Sequence, residues 1–331
     1  MTRMSASERV QAALRGEPVD HPPVSLWHHF PEHGQSAGAI AEATLAQQRT
    51  FDFDFIKLMP PGDYPTIDWG AESVYRGSPN GTRTTIRFPI GSIDDWRRIQ
   101  PVPVDRGMNR EVIDAVRLVT SGLAEPVPVL QTVFSPLTIA AKLSNGLVLE
   151  HLHEQPDVVR EALAAITTVT RSVVTASLER GAAGIFFATQ YASTDRLSAA
   201  DYATFGTPYD LAVLETAAHA RCNILHLHGE NVLFEQLMTY PVHALNWHDR
   251  RTRPTLVEGE RLSGRCVAGG IDEQAVATML PDAAATQARR TVADLGGRHV
   301  MVAPGCVIPV ATPDQTIHAI VAAVRSVGSD G

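Results

Sequence analysis

Short runs rich in Val, Ile, Leu and Phe recur along the chain, and between most of them the apolar positions switch to helical spacing. The runs at 24–27, 54–59, 127–133, 184–188, 222–228, 242–247, 265–269 and 299–303 read as strands. Helices are expected at about 5–15, 38–50, 109–122, 156–179, 230–239, 254–262, 281–294 and 312–326, with Pro136 and Pro208 opening two more. Residues 62–100 break this rhythm, and the alternation across 82–90 predicts a short hairpin inserted after the second strand, where insertions commonly shape a pocket. No linker and no second compositional regime interrupts the pattern, so one (β/α)8 TIM barrel over residues 1–331 is the expected fold. A doubly wound sheet is the alternative, but no Gly-x-Gly-x-x-Gly follows a strand.

A barrel of this kind carries its chemistry at the C-terminal ends of its strands. Those ends present His28 and His29, Lys57, Gln131, Gln190, His226 and His228, His248 and Asp249, Asp272, and Cys306. The stretch from Cys222 to Glu230 is the most informative. Alternate strand side chains share a face, so Cys222, Ile224, His226 and His228 point one way, and Leu225 and Leu227 the other. An isolated His-x-His reads most simply as a buried strand finishing in two satisfied polar residues, and a single cysteine in a Pro-Gly turn as a small buried thiol. Their shared rim favours a tridentate zinc set, His226, His228 and Cys306, with a fourth position for water or a thiol.

Glu230 is a further ligand, a base or a helix-dipole partner. His28 and His29 alternate, so only one can face inward, and Asp249 is placed to orient His248 for acid/base work, the plainer reading being a polar loop start. Lys57, set among apolar residues, reads as a clamp for a substrate carboxylate, the plainer reading being a solvated strand-end lysine, with Gln131, Gln190 and Asp272 as further pocket residues.

Charge and composition narrow the partners. With 28 Lys+Arg against 36 Asp+Glu the net charge is −8, and basic residues never run beyond a doublet, so nucleic acid is not an expected partner. The start lacks the apolar core of a secretory signal and no apolar run approaches the roughly 20 residues that span a bilayer, which predicts a cytoplasmic protein without a membrane segment. The three cysteines are too few and scattered for a disulfide framework. Cys222 and Cys266 lie within strands and are expected in the core.

The segment from Glu8 to Val24, ERVQAALRGEPVDHPPV, resembles the opening of the uroporphyrinogen decarboxylase superfamily, and APGCVIPVATP at 303–313 resembles its C-terminal motif. Leu245-Asn-Trp247 and Gly269-Gly-Ile-Asp272 follow the family's order. The resemblance covers nearly the whole chain and implies a (β/α)8 barrel. Uroporphyrinogen decarboxylases place an Arg-Gln-Ala-Gly-Arg segment after the first strand to grip the tetrapyrrole's carboxylates; here residues 27–33 read WHHFPEH, without arginine, which argues against heme-pathway decarboxylation. The corrinoid-dependent methyltransferase branch, which moves a methyl group to a thiol, carries zinc on His-x-Cys-Gly with a later Cys in Pro-Gly-Cys. This chain is similar at His226, Gly229 and Cys306, with His228 in place of the first cysteine. That exchange removes a negative charge, weakening the case for thiol alkylation and leaving water activation open. There is no corrinoid-binding Asp-x-His-x-x-Gly segment, so a corrinoid would arrive free or on a partner protein.

The resemblance therefore implies a zinc-dependent methyltransferase acting on a small molecule, with pairing of two copies as an expectation of the same resemblance. The alternatives are a decarboxylase of a carboxylated small molecule and a non-catalytic barrel that binds a tetrapyrrole or corrinoid.

Overall fold

The computed structural model describes residues 3–33 and 35–327; the remainder of the expected 1–331 span lies outside the described residues. The strands are β1 (Ile56–Lys57), β2 (Glu72–Tyr75), β3 (Arg83–Arg87), β4 (Val129–Phe134), β5 (Gly184–Thr189), β6 (Ile224–Leu227), β7 (Ala244–Trp247), β8 (Cys266–Ile271) and β9 (Val300–Pro304). Among the described residues β1, β4, β5, β6, β7, β8 and β9 pair in that order, all parallel, as one curled sheet with helices on its outer side. Fully buried strands in a parallel sheet explain the continuous apolar runs.

Alternation divides the side chains into two layers. Leu130, Phe186, Cys222, Ile224, Ala244, Cys266, Ala268, Met301 and Ala303 pack together on the concave side, closed below by Val10 from the helix Ala6–Leu14. Leu225, Leu227, Leu245 and Val267 pack outward against the helices. The helix starts follow their sequence signals: Ser5 and Glu8 form a capping box, as do Thr255 and Glu258, and Ser135 caps the helix that Pro136 opens. The helix Pro156–Glu179 and the helix Pro281–Asp294 match their expected spans.

The expected strand at 24–27 is reduced to a parallel bridge between Val24 and Val302. Pro22 and Pro23 have no N–H to give, yet the Val302 N–H donates to the Pro23 carbonyl at 2.7 Å and Asp54 N–H to the Val24 carbonyl at 3.0 Å. This extended segment therefore lies between the last strand and the residues leading into β1. The expected helix at 230–239 shortens to Phe234–Leu237, because Val232 is taken by an antiparallel bridge to Ser193 and Asn231 turns into positive φ. The inserted hairpin is present as β2 and β3, antiparallel. Its tip carries Asn80 and Thr82 over the open end of the concave layer. Among the described residues no helix is long and apolar enough to cross a membrane.

Gly184, at the start of β5, lies against the residues leading into β6, where an added Cβ would stand 1.9 Å from the Cys222 carbonyl oxygen. Gly184→Ala is expected to cost about 1–3 kcal/mol through forced separation of the two strands. Urea denaturation reads this directly, and an unchanged midpoint would show that the strands are not so closely apposed.

Candidate metal centre

The end of β6 delivers His226 inward on the face of Cys222 and Ile224, where its ring stacks on Phe186 at 5.4 Å between centroids. One residue past the strand, His228 follows on the same side, and Gly229, at φ 102, turns the chain away. The end of β7 contributes His248, and the turn after β9 contributes Cys306. One ligating atom from each of His226, His228, His248 and Cys306 lies within 4.8 Å of the others. Cys306 Sγ stands 3.7 Å from His226 Nε2 and 3.5 Å from His228 Nδ1, and His248 Nε2 is 3.2 Å from His228 Nδ1. Donor atoms around a tetrahedral zinc stand about 3.3–3.6 Å apart at ordinary Zn–N and Zn–S lengths.

Hydrogen bonds behind the cluster decide which nitrogens face it. The Asn246 amide donates to the carbonyls of Ala268 and Pro304 at 2.7 and 3.1 Å, so its oxygen is left to accept from His226 Nδ1–H at 2.6 Å. His248 Nδ1 donates to Glu273 Oε1, also at 2.6 Å. Both rings therefore turn Nε2 toward Cys306 and His228, the nitrogen that would give up its proton to a metal ion. Three imidazoles and a thiol converging within 4.8 Å make a complete donor set for a borderline cation, so the cluster fits a metal ion. Burial alone would raise the Cys306 thiol, but the hydrogen bonds and charge of His226, with His228 and His248, hold it well below the ordinary thiol range. Burial would lower His248, but the bonds to Cys306 and Glu273 push it up to about 9.

The cluster forms one wall of a cavity of about 470 Å³ whose lining includes His29, Lys57, Gln190, Glu230 and Arg251. Lys57 is buried under Phe186, with Nζ 4.7 Å from the ring centroid, and burial pushes it down to about 7. Burial, and then the neighbouring Lys57, push His29 down to about 3. Lys142 reaches the cavity from the helix Pro136–Leu143, and burial lowers it to about 8.

The sequence-predicted residues divide accordingly. His226, His228 and Cys306 come together as expected, with His29, Lys57, Gln190 and Glu230 on the same cavity and His248 inside the cluster itself. Gln131 does not reach the cavity: it points to the helix side, near the Val112 carbonyl and the Ser177 hydroxyl, while its neighbour Thr132 lines the pocket. Asp272 turns back to accept from the backbone N–H of Gln274 and Ala275. Asp249 accepts from Gly270 N–H, so the carboxylate that orients His248 is Glu273. His28 bonds the His29 carbonyl and packs on Phe30, outside the cavity lining. Glu273, Lys142 and Arg251 were not anticipated; adjacency of Glu273 to Asp272 was the one available signal, and nothing local marked Lys142.

The family model described as Uroporphyrinogen decarboxylase (URO-D) matches residues 5–327. The uroporphyrinogen decarboxylase of Coxiella burnetii (strain RSA 493 / Nine Mile phase I) is 27% identical over 206 residues, 55% of this chain and 56% of that one, so the chain spans little more than half the length of that relative. The methylcobamide:CoM methyltransferase MtbA of Methanosarcina acetivorans is 18% identical over 347 residues, covering 98% of this chain and 99% of that one. A solved structure described as a methyltransferase from Methanosarcina mazei superposes with a TM-score of 0.83 at 21% identity, covering 98% and 99% of the two chains; at that identity the likeness speaks to the fold.

Cys222 and Cys266 are fully buried, whereas Cys306 opens to the cavity. Iodoacetamide applied to native, chelator-treated protein is expected to modify Cys306 alone, read by peptide mass spectrometry. Comparable labelling of Cys222 in folded protein would contradict this arrangement.

Proposed function

The chain belongs to the uroporphyrinogen decarboxylase family, and from that membership we propose that it is a metal-dependent enzyme of the methyltransferase kind, delivering a methyl or related one-carbon group to a thiol or water acceptor. The observation that carries this reading is the convergence of His226, His228, His248 and Cys306 within 4.8 Å. Three imidazoles and one thiolate suit zinc, and the hydrogen bonds from Asn246 and Glu273 are the kind that orient metal-binding histidines. Zinc bound there would supply the Lewis acidity that makes a thiol or water more acidic near neutrality.

The chain's own residues do the rest. His226 and His248 keep their Nδ1 protons on Asn246 and Glu273, so neither ring can turn away from the cavity without losing a bond. His228 Nε2 has no hydrogen-bond partner among the described residues, which makes His228 the donor most easily displaced by an entering acceptor. Asn80 and Thr82 on the hairpin tip narrow the mouth and limit water, and Gln190 offers a polar contact within. The methyl donor in this reading is a corrinoid, free or on a partner protein, in keeping with the relative named a methylcobamide:CoM methyltransferase. We take the segment at 23–25 as the eighth member of a closed barrel, in a single domain. A metal-free decarboxylase of a carboxylated small molecule is the second reading, favoured by the cationic Lys57 and Lys142 and by the relatives named uroporphyrinogen decarboxylase.

Elemental analysis of purified protein is expected to find about one zinc per chain, lost on Cys306→Ser or His226→Ala. Asn246→Ala and Glu273→Ala should keep the fold and weaken zinc affinity by about 10–100-fold in a chelator competition. A native protein that stays metal-free after zinc is supplied would remove the methyltransferase reading and leave the decarboxylase one.

A further inference from the structure

The cavity gathers two basic side chains, Lys57 and Lys142, that pair with no carboxylate of its lining. Of its acidic residues, Glu273 is engaged by His248 and Arg251, and Glu230 lies 3.6 Å from Arg251, so the carboxylates and the arginine largely satisfy one another. Lys57 and Lys142 stand outside that network. Among the described residues Lys57 Nζ meets the Met59 thioether, at 2.8 Å, the faces of Phe186 and Trp27, and at longer range the charge of Cys306. Lys142 Nζ lies 5.0 Å from the Phe134 ring centroid and makes no hydrogen bond among the described residues. The carboxylate that acts on Lys142 is Asp63, which forms no ion pair with it; both Asp63 oxygens are buried without a partner. An ammonium carries three donors and no acceptor, and placing two such groups at one apolar-walled cavity is costly unless an anion joins them.

We propose that Lys57 and Lys142 form an anion subsite that seats the single carboxylate of a small, largely apolar substrate beside the His/Cys cluster. This rests on the reading of the cavity as the active site, and it narrows the substrate class. Trp27, Met59, Phe134 and Phe186 give the body of the molecule an apolar bed. Two lysines can seat one carboxylate, and with Arg251 already engaged the cavity lacks a free arginine fork to grip a phosphate bidentately. A tetrapyrrole bearing many carboxylates would leave most of them against apolar walls.

The test uses full-length protein, with and without zinc supplied, titrated calorimetrically with butanoate, hexanoate and phenylacetate, with each corresponding amide, and with methyl phosphate. At least one carboxylate is expected to bind and its amide to bind about tenfold more weakly or not at all. Lys57→Met and Lys142→Met should each reduce carboxylate affinity by a similar factor while zinc content and the denaturation midpoint stay as in the native protein. Equal binding of acid and amide, tighter binding of methyl phosphate than of every carboxylate, no binding by any carboxylate, or carboxylate binding that persists in the double variant would overturn the inference. So would a Lys142→Met protein that is destabilised but binds normally, since Lys142 would then be serving Asp63. A native protein that binds carboxylates selectively but holds no zinc when zinc is supplied would sink the metal reading alone; loss of binding selectivity with zinc retained would sink this one alone.

Discussion

A metal-binding imidazole keeps a proton on one nitrogen only, and in this protein two hydrogen bonds decide which. His226 gives its Nδ1 proton to Asn246, and His248 gives its own to Glu273. Asn246 is in turn locked by its bonds to the carbonyls of Ala268 and Pro304, on the neighbouring strand β8 and at the end of β9. The orientation of a donor on β6 is thus fixed by the backbones of strands further round the sheet. Without these bonds the rings could flip, the lone pairs would no longer converge on Cys306, and the cavity would have a polar wall without a defined chemistry.

That wall meets a second constraint, the scarcity of counter-ions. The cluster has Glu273 behind it, and Arg251 ties Glu273 to Glu230 at the rim. The lysines, by contrast, rest on aromatic rings and a thioether. In the proposed reading, one side of the cavity suits a borderline metal and the other negative charge. A molecule spanning the two would present its reacting atom and its charged group to different walls, which is how binding energy away from the reacting centre can position a reaction.

The fold was legible because parallel strands buried on both faces leave continuous apolar runs, and because proline and serine mark the helix starts. The His-x-His pair was legible for a similar reason: a period of two puts His226 and His228 on one face, and the inward packing of Cys222 and Ile224 follows from the same parity. Parity also explains the misses. Leu130 faces the interior, so Thr132 points to the pocket and Gln131, one residue away, to the helices. Trp27 faces inward, so His29 shares its side and His28 does not. At the end of β8 Asp272 turned to cap the backbone and the next residue, Glu273, took the imidazole. Lys142 comes from a helix, where strand parity gives no guidance, and only the folded chain shows which cavity it enters.

The central claim, that these four side chains hold one metal ion, is tested most directly by X-ray absorption at the zinc edge on protein loaded with one equivalent of zinc. The account predicts a first shell with one sulfur at about 2.3 Å and nitrogen neighbours at about 2.0–2.1 Å, and a Cys306→Ser protein that fails to hold the zinc. A shell of light atoms alone, unchanged by that substitution, would contradict it.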